Sequence, residues 1–256
     1  MSDKQREERM EPEIFPLGDA AVSVQLGNGI DPKTHRRVQA LAAYFERHPF
    51  LGLIELVPAF VTVTVFYDPL RLRDPVTGET CRGRDGSGFR SPYEMIRGIV
   101  KRAIANVDNA FESASTIVHI PVCYGGELGP DLNSVAVYHG LTPEEVIEIH
   151  SSQDYLVYMI GFAPGFPYLG GLSERIATPR RSTPRLHIET GTVGIGGNQT
   201  GIYPISTPGG WQLIGRTPLP LFRPDHPSPS LLKAGDIVRF QPIGLKQFEE
   251  WRENDA

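Results

Sequence analysis

Two glycine- and proline-rich blocks limit what this chain can fold into: Gly161 to Gly171 (GFAPGFPYLGG) and Gly194 to Pro218 (GIGGNQTGIYPISTPGGWQLIGRTP). Glycine permits positive φ and close backbone approach, while proline fixes the loops that carry Phe162, Phe166, Tyr168, Tyr203 and Trp211. One such cluster alone is usually only a tight turn, and two long ones weigh against that reading. Stiff, ring-lined turns make good binding walls. The short apolar runs around them, such as Ile117 to Val122, Thr192 to Ile195 and Asp236 to Phe240, read as the strands of an all-β barrel.

Helical signals interrupt the barrel once. Thr142-Pro143-Glu144-Glu145 reads as a capping box with proline at the first helical position, and Val146 and Ile149 follow on the buried side before His150. A second short helix is expected from Ser152.

The first half of the chain has a different pattern. FPLGDAAVSVQLG, with Ala21, Val22, Val24 and Leu26 around a Gly-Asp turn, predicts a half-buried first strand. Asp19 serves that turn and is not a catalytic candidate. Asp31-Pro32 opens a helix whose apolar face is Val38, Leu41, Ala42 and Phe45, and His48-Pro49 stops it. Leu53 to Tyr67 is rich in β-branched and aromatic residues but holds Pro58, so it predicts two strands or one strand bent there. Ser91-Pro92 opens a second helix running to about Asn106. Between them, 68–91 lacks any apolar period and predicts a mobile surface loop. Its arginines, Arg71, Arg73, Arg82, Arg84 and Arg90, read as solvated charge. The expected fold class is α+β: a small α/β N-terminal domain over 12–111 and a β-barrel domain over 112–246.

Composition narrows the function. With 256 residues, 40% of them hydrophobic, there is material for two cores. A net charge of −5 argues against an electrostatic grip on nucleic acid or an anionic membrane. Cys81 and Cys123 have no His or Cys at metal-ligand spacing, so no metal site is expected, and a reduced cytoplasmic setting fits. Met1 to Arg9 is charged throughout, and nowhere do about eighteen apolar residues run together, so neither an export signal nor a membrane span is expected. GIGGNQTG lacks the lysine and the Ser or Thr of a phosphate loop.

Four stretches carry a resemblance: HIPVCYGGELGPDL (His119 to Leu132), EVIEIHSSQDYLVYMIGFAPGFPYLGGL (Glu145 to Leu172), ATPRRSTPR (Ala177 to Arg185) and GGNQTGIYPISTPGGWQLIGRTPLPLF. PLGDAAVSVQLG and ELVPAFVTVTVFYDP extend it over the N-terminal half. The chain thereby resembles the allophanate hydrolase subunit 1 family, whose bacterial members include the B-type subunit of 5-oxoprolinase and a sporulation kinase inhibitor. The resemblance implies a cyclophilin-like barrel and association with two partners: an allophanate hydrolase subunit 2 homologue, which is the C-type subunit, and a third subunit of A-type. It also implies cleavage of 5-oxo-L-proline to L-glutamate with ATP hydrolysis, ATP being the cofactor and magnesium its candidate companion. Alone, the chain is expected to be inactive.

That chemistry needs cationic groups for phosphate or carboxylate oxygens, and Arg180, Arg181, Arg185 and Arg216 are the candidates, with Arg185 and Arg216 the preferred catalytic pair. Gln199 and Tyr203 are candidates for orienting a lactam carbonyl or a water. His150 is a candidate base, weighed against capping its helix, and His119 lies near the matched motifs. Phe162, Phe166, Tyr168 and Trp211 would line the substrate pocket. Two other functions stay open: binding a sensor histidine kinase through the same aromatics, and service in a carboxyltransferase or allophanate hydrolase complex.

Overall fold

In the computed structural model, residues 11–81, 90–107 and 115–254 are described. The charged tail, Arg82, Arg84 and the expected domain boundary at 111–112 lie outside them. The chain divides into two compact units, Met1–Ala114 and Ser115–Ala256.

The first unit is a four-stranded sheet with two helices. Its elements are β1 (Glu13–Pro16), β2 (Ala21–Gln25), α1 (Pro32–Arg47), β3 (Leu53–Pro58), β4 (Thr62–Tyr67) and α2 (Pro92–Asn106), with strand order β1-β2-β4-β3. The expected first strand is a hairpin, because the Gly-Asp turn folds β1 back onto β2. Every pairing is antiparallel, so this unit is α+β in kind. Pro58 ends β3 on the sheet edge, where its missing N–H costs nothing. Alternation along β2 and β4 turns Val22, Val24, Val63 and Val65 to one face, against Val38, Leu41 and Phe45 of α1 and Ile96, Ile99 and Val100 of α2. Asp31 caps α1 by accepting from the backbone N–H of Lys33 and Thr34, and Ser91 and Glu94 form a reciprocal box on α2.

The loop after β4 is better tied than its composition predicts. Leu72 is buried, Arg73 and Thr80 form a bridge, and the Asp74 carboxylate accepts from Val76 N, Thr77 N and Arg102. Short polar side chains satisfy the backbone there without any apolar period.

In the second unit a seven-stranded sheet closes into a barrel. Its elements are β5 (Ile117–Tyr124), α3 (Leu132–His139), α4 (Pro143–Ser151), β6 (Tyr155–Ile160), β7 (Pro167–Gly170), β8 (Arg185–Ile188), β9 (Thr192–Gly196), β10 (Gln199–Ile202), β11 (Thr207–Gly209), β12 (Gln212–Arg216), β13 (Ile237–Pro242) and α5 (Leu245–Asn254). The barrel order is β10-β7-β6-β13-β5-β12-β9, with β9 pairing β10 to close it, and β8 and β11 form a separate ribbon. Ile120, Val122, Val157, Val193, Ile195, Ile214 and Val238 fill the interior together with Val146 and Ile149 of α4.

Two expectations change here. Ser152 is the C-cap of α4 and starts no helix; the partner in the helical pair is α3, which precedes α4 and ends at Gly140 in the left-handed region (φ 65°). The final helix α5 runs past residue 246 and buries Phe248 against the unit. No helix among the described residues is long and apolar enough to cross a membrane.

Candidate functional site: arginines on an aromatic base

Strand alternation builds the aromatic base. On the β9–β10 hairpin, Ile195 and Thr200 face the barrel interior, so the pairs Gly196–Gln199 and Gly194–Gly201 face out. Trp211 lies across these glycines: a Cβ on Gly196 would stand 2.5 Å from the indole Nε1, and one on Gly201 3.0 Å from its six-membered ring. Only glycine leaves room for the indole to lie against the strands. Phe166, Tyr203 and Trp211 meet edge to face at centroid distances of 5.9–6.1 Å, and Tyr168 and Phe162 join through Phe166 at 5.3 and 5.7 Å. Phe162 is 73% exposed and sits at φ 70°, the one non-glycine with positive φ among the described residues. That backbone costs on the order of 1–2 kcal/mol and holds an aromatic ring at the rim, in solvent.

The arginine segment is laid over this base by backbone ties. Arg181 N donates to Gly210 O, Gln212 Nε2 donates to Pro179 O, and Gly197 N donates to Thr178 O, at 2.7–2.9 Å. Asp131, 4% exposed, stands beneath. Its Oδ1 accepts from Arg181 Nη1 at 3.2 Å and Arg185 Nη2 at 2.8 Å, and its Oδ2 accepts from Leu213 N at 2.7 Å. Arg180 has its guanidinium carbon 5.8 Å from the Trp211 ring centroid. Burial raises the Tyr203 hydroxyl above its usual range, opposed by the Trp211 backbone and by the charges of Arg180 and Arg185. An open cleft of about 370 Å³ results, lined by Tyr138, Thr178, Arg180, Arg181, Thr183 and Gln212 among others.

The structure thus brings together Arg180, Arg181, Arg185, Gln199, Phe162, Phe166, Tyr168, Tyr203 and Trp211. Asp131, Thr178, Tyr138 and Gln212 join them without having been singled out. Asp131 does stand in the GPDL of a matched stretch, but a lone Asp before a helix reads as a cap.

Two candidates stand elsewhere. Arg216, at the other end of β12 from Gln212, donates to Thr190 O at 2.7 Å and pairs with Glu189 at 3.5 Å. Glu189 follows the far end of β8 from Arg185, roughly 13 Å along the strand, so the preferred Arg185–Arg216 pair does not converge. Glu189 also holds His187 at 2.7 Å, which first, and Arg216 less, keeps its carboxyl below the usual range. Exposed pairs of this kind contribute little. Arg216→Ala is therefore expected to leave ligand affinity at the cleft within about threefold; a loss of a hundredfold would return Arg216 to the site.

His150 is the second. Its ring is 0% exposed, between Tyr124 OH at 2.8 Å from Nδ1 and Thr200 Oγ1 at 2.9 Å from Nε2. Burial pushes its pKa down to about 3, so it stays neutral and sealed from any substrate. His119 is on β5, where its Nδ1 meets the Gln241 amide.

Comparison with known proteins agrees with this architecture. Residues 12–232 match the family described as carboxyltransferase domain, subdomain C and D. The chain is 50% identical over 241 residues to the B-type subunit of 5-oxoprolinase from Bacillus subtilis (strain 168), covering 94% of this chain and 97% of that one. It is 40% identical over 230 residues to the B-type subunit of 5-oxoprolinase from Escherichia coli O157:H7, covering 89% and 94%. The crystal structure of TTHA0988 superposes with a TM-score of 0.71 at 34% identity, covering 87% of this chain, which spans 40% of that longer one. The chain belongs to the carboxyltransferase domain family, subdomain C and D.

Proposed function

We propose that the chain is the B-type subunit of an ATP-dependent 5-oxoprolinase, opening 5-oxo-L-proline to L-glutamate together with A-type and C-type partner subunits. The observation that carries this is 50% identity to a B-type 5-oxoprolinase subunit across nearly the full length of both chains. The site is compatible with it: a small cationic cleft on an aromatic base suits a compact anionic ring.

A five-membered lactam is a stabilised amide, and ATP supplies a phosphoryl group that turns the amide oxygen into part of a leaving group. This chain's residues would bind and orient. Arg180, with Arg181 beside it and Arg185 behind, meets negative charge; the buried Trp211, Phe166 and Tyr203 support the arginine segment from below; Thr178, Thr183 and Gln212 on the cleft wall offer hydrogen bonds to the lactam carbonyl or to a water. Magnesium does not fit this cleft, since guanidinium groups repel a cation and both oxygens of Asp131 are engaged. ATP and magnesium therefore belong to the partner subunits in this reading. The ATP requirement and the free thiols Cys81 and Cys123 favour the cytoplasm.

The test is ADP release by the purified three-subunit complex with and without 5-oxoproline. The expected result is release that depends on 5-oxoproline, with none from this chain alone. Release indifferent to 5-oxoproline would sink the proposal.

A further inference from the structure

The three arginines in and behind the cleft are not equivalent: Arg180 and Arg181 line it, and Arg185 does not. Arg181 and Arg185 each spend a donor on Asp131, and Arg185 is only a quarter exposed. The same carboxylate is clamped to Leu213 N. These two guanidinium groups are therefore held in place, with their charge partly neutralised. Arg180 differs: it is exposed, has no carboxylate partner among the described residues, and rests over the Trp211 ring. At 5.8 Å from the ring centroid the cation is attracted to the ring face without a hydrogen bond to it, and its N–H groups remain available to a planar, two-oxygen acceptor.

Arg180 and Arg181 line the cleft, and no carboxylate does; Asp131, which pairs Arg181, lies outside the lining and is shared with Arg185, so the cleft is left with excess positive charge. Arg185 Nη1 is, in addition, buried with no hydrogen-bond partner, a donor that folding alone leaves unsatisfied. The excess charge on the cleft wall asks for an anion. Its size and kind follow from the walls. At about 370 Å³ the cleft lies near the small end of the range for ligand pockets. A nucleotide triphosphate arrives with a divalent cation, which needs carboxylate oxygens that Asp131 cannot spare. A carboxylate on a small ring needs neither metal nor further volume.

We infer that the cleft recognises the carboxylate of the lactam substrate, with Arg180 receiving it and Asp131 acting as the positioning residue that holds Arg181 and Arg185 behind. This rests on the oxoprolinase reading. It adds that the nucleotide lies elsewhere and that Arg180 sets specificity for an acid over its neutral amide.

The experiment uses the intact three-subunit complex carrying Arg180→Ala or Arg180→Lys in this chain. Binding of 5-oxoproline is measured by calorimetry beside a non-hydrolysable ATP analogue, and KM is measured for 5-oxoproline and for ATP. Expected for Arg180→Ala is a rise of about 10- to 100-fold in Kd and KM for 5-oxoproline, with KM for ATP within about twofold. Arg180→Lys should recover part of the loss. The wild type should also bind 5-oxoproline more tightly than 5-oxoprolinamide, by a ratio that Arg180→Ala brings near one. A rise confined to the KM for ATP, or unchanged 5-oxoproline binding in a complex that still turns over, overturns the inference alone. A wild-type complex with no 5-oxoproline-dependent turnover overturns the underlying reading instead.

Discussion

Asp131→Ala is expected to lower the stability of the barrel unit by about 2–4 kcal/mol, the largest loss from any single polar side chain of the site. The side chain is buried and accepts three hydrogen bonds: from Arg181, Arg185 and the backbone of Leu213. Removing it strands the buried Leu213 N–H and leaves two guanidinium groups repelling each other. Breaking a buried ion pair from one side typically costs about 3–5 kcal/mol. The lower figure applies because the Arg181 and Arg185 side chains, 38% and 25% exposed, recover some hydration. Asp131→Asn keeps one accepting oxygen in the same volume and should lose about half as much. Denaturant unfolding followed by tryptophan fluorescence reads this out, since Trp211 is buried in the cluster that Asp131 supports. A change below about 0.5 kcal/mol for Asp131→Ala would show that the arginine segment hangs on something else.

The second large effect is on pH. Thr200 donates its hydroxyl hydrogen to Gly194 O at 3.1 Å, so it must accept from His150 Nε2–H, and Nδ1 is left to accept from Tyr124 OH. This chain of hydrogen bonds is complete only for neutral imidazole. Unfolded, the ring takes up a proton near pH 6.5; folded and buried, it does so only at about 3. Between those values the unfolded state binds more protons, so stability is full above pH 6.5 and falls as pH drops, by up to about 1.4 kcal/mol per unit and roughly 5 kcal/mol in all. His35 in the first unit, pushed down to about 4 by burial, acts with the same sign. The unfolding midpoint should therefore decline already between pH 6.5 and 5, before carboxylates protonate. A midpoint flat over that window would contradict a neutral buried His150.

These two residues also show where the sequence could be read and where it could not. Caps gave the helices: Asp31 with Pro32, Ser91 with Pro92 and Thr142 with Pro143 and Glu145 set the starts of α1, α2 and α4, because a capping side chain next to a proline at the first helical position leaves a local signature. Asp131 stands at the N-cap of α3 but makes no capping hydrogen bond, and turns its carboxylate to arginines 50 and 54 residues away. Nothing local announces a partner at that distance. The aromatic blocks converged as their composition implied, since the glycines of β9 and β10 exist to receive Trp211. Arg216 and His150 fell outside the site for a different reason. A motif's residue types do not say which way each side chain faces, and Arg216 leans to the Glu189 turn while His150 fills the core between α4 and the barrel.

Substrate held by Arg180 in the cleft beside the buried aromatic cluster is what every functional step above requires, and the chain carries its own reporter for it, since Arg180 lies over the Trp211 ring. It has two tryptophans, Trp211 in the cluster and Trp251 on α5. With only this chain labelled at indole nitrogen, the assembled complex gives two indole N–H signals. Addition of 5-oxoproline is predicted to move the Trp211 signal saturably and to leave Trp251 where it is. An unmoved Trp211 signal at concentrations that support turnover would contradict the account.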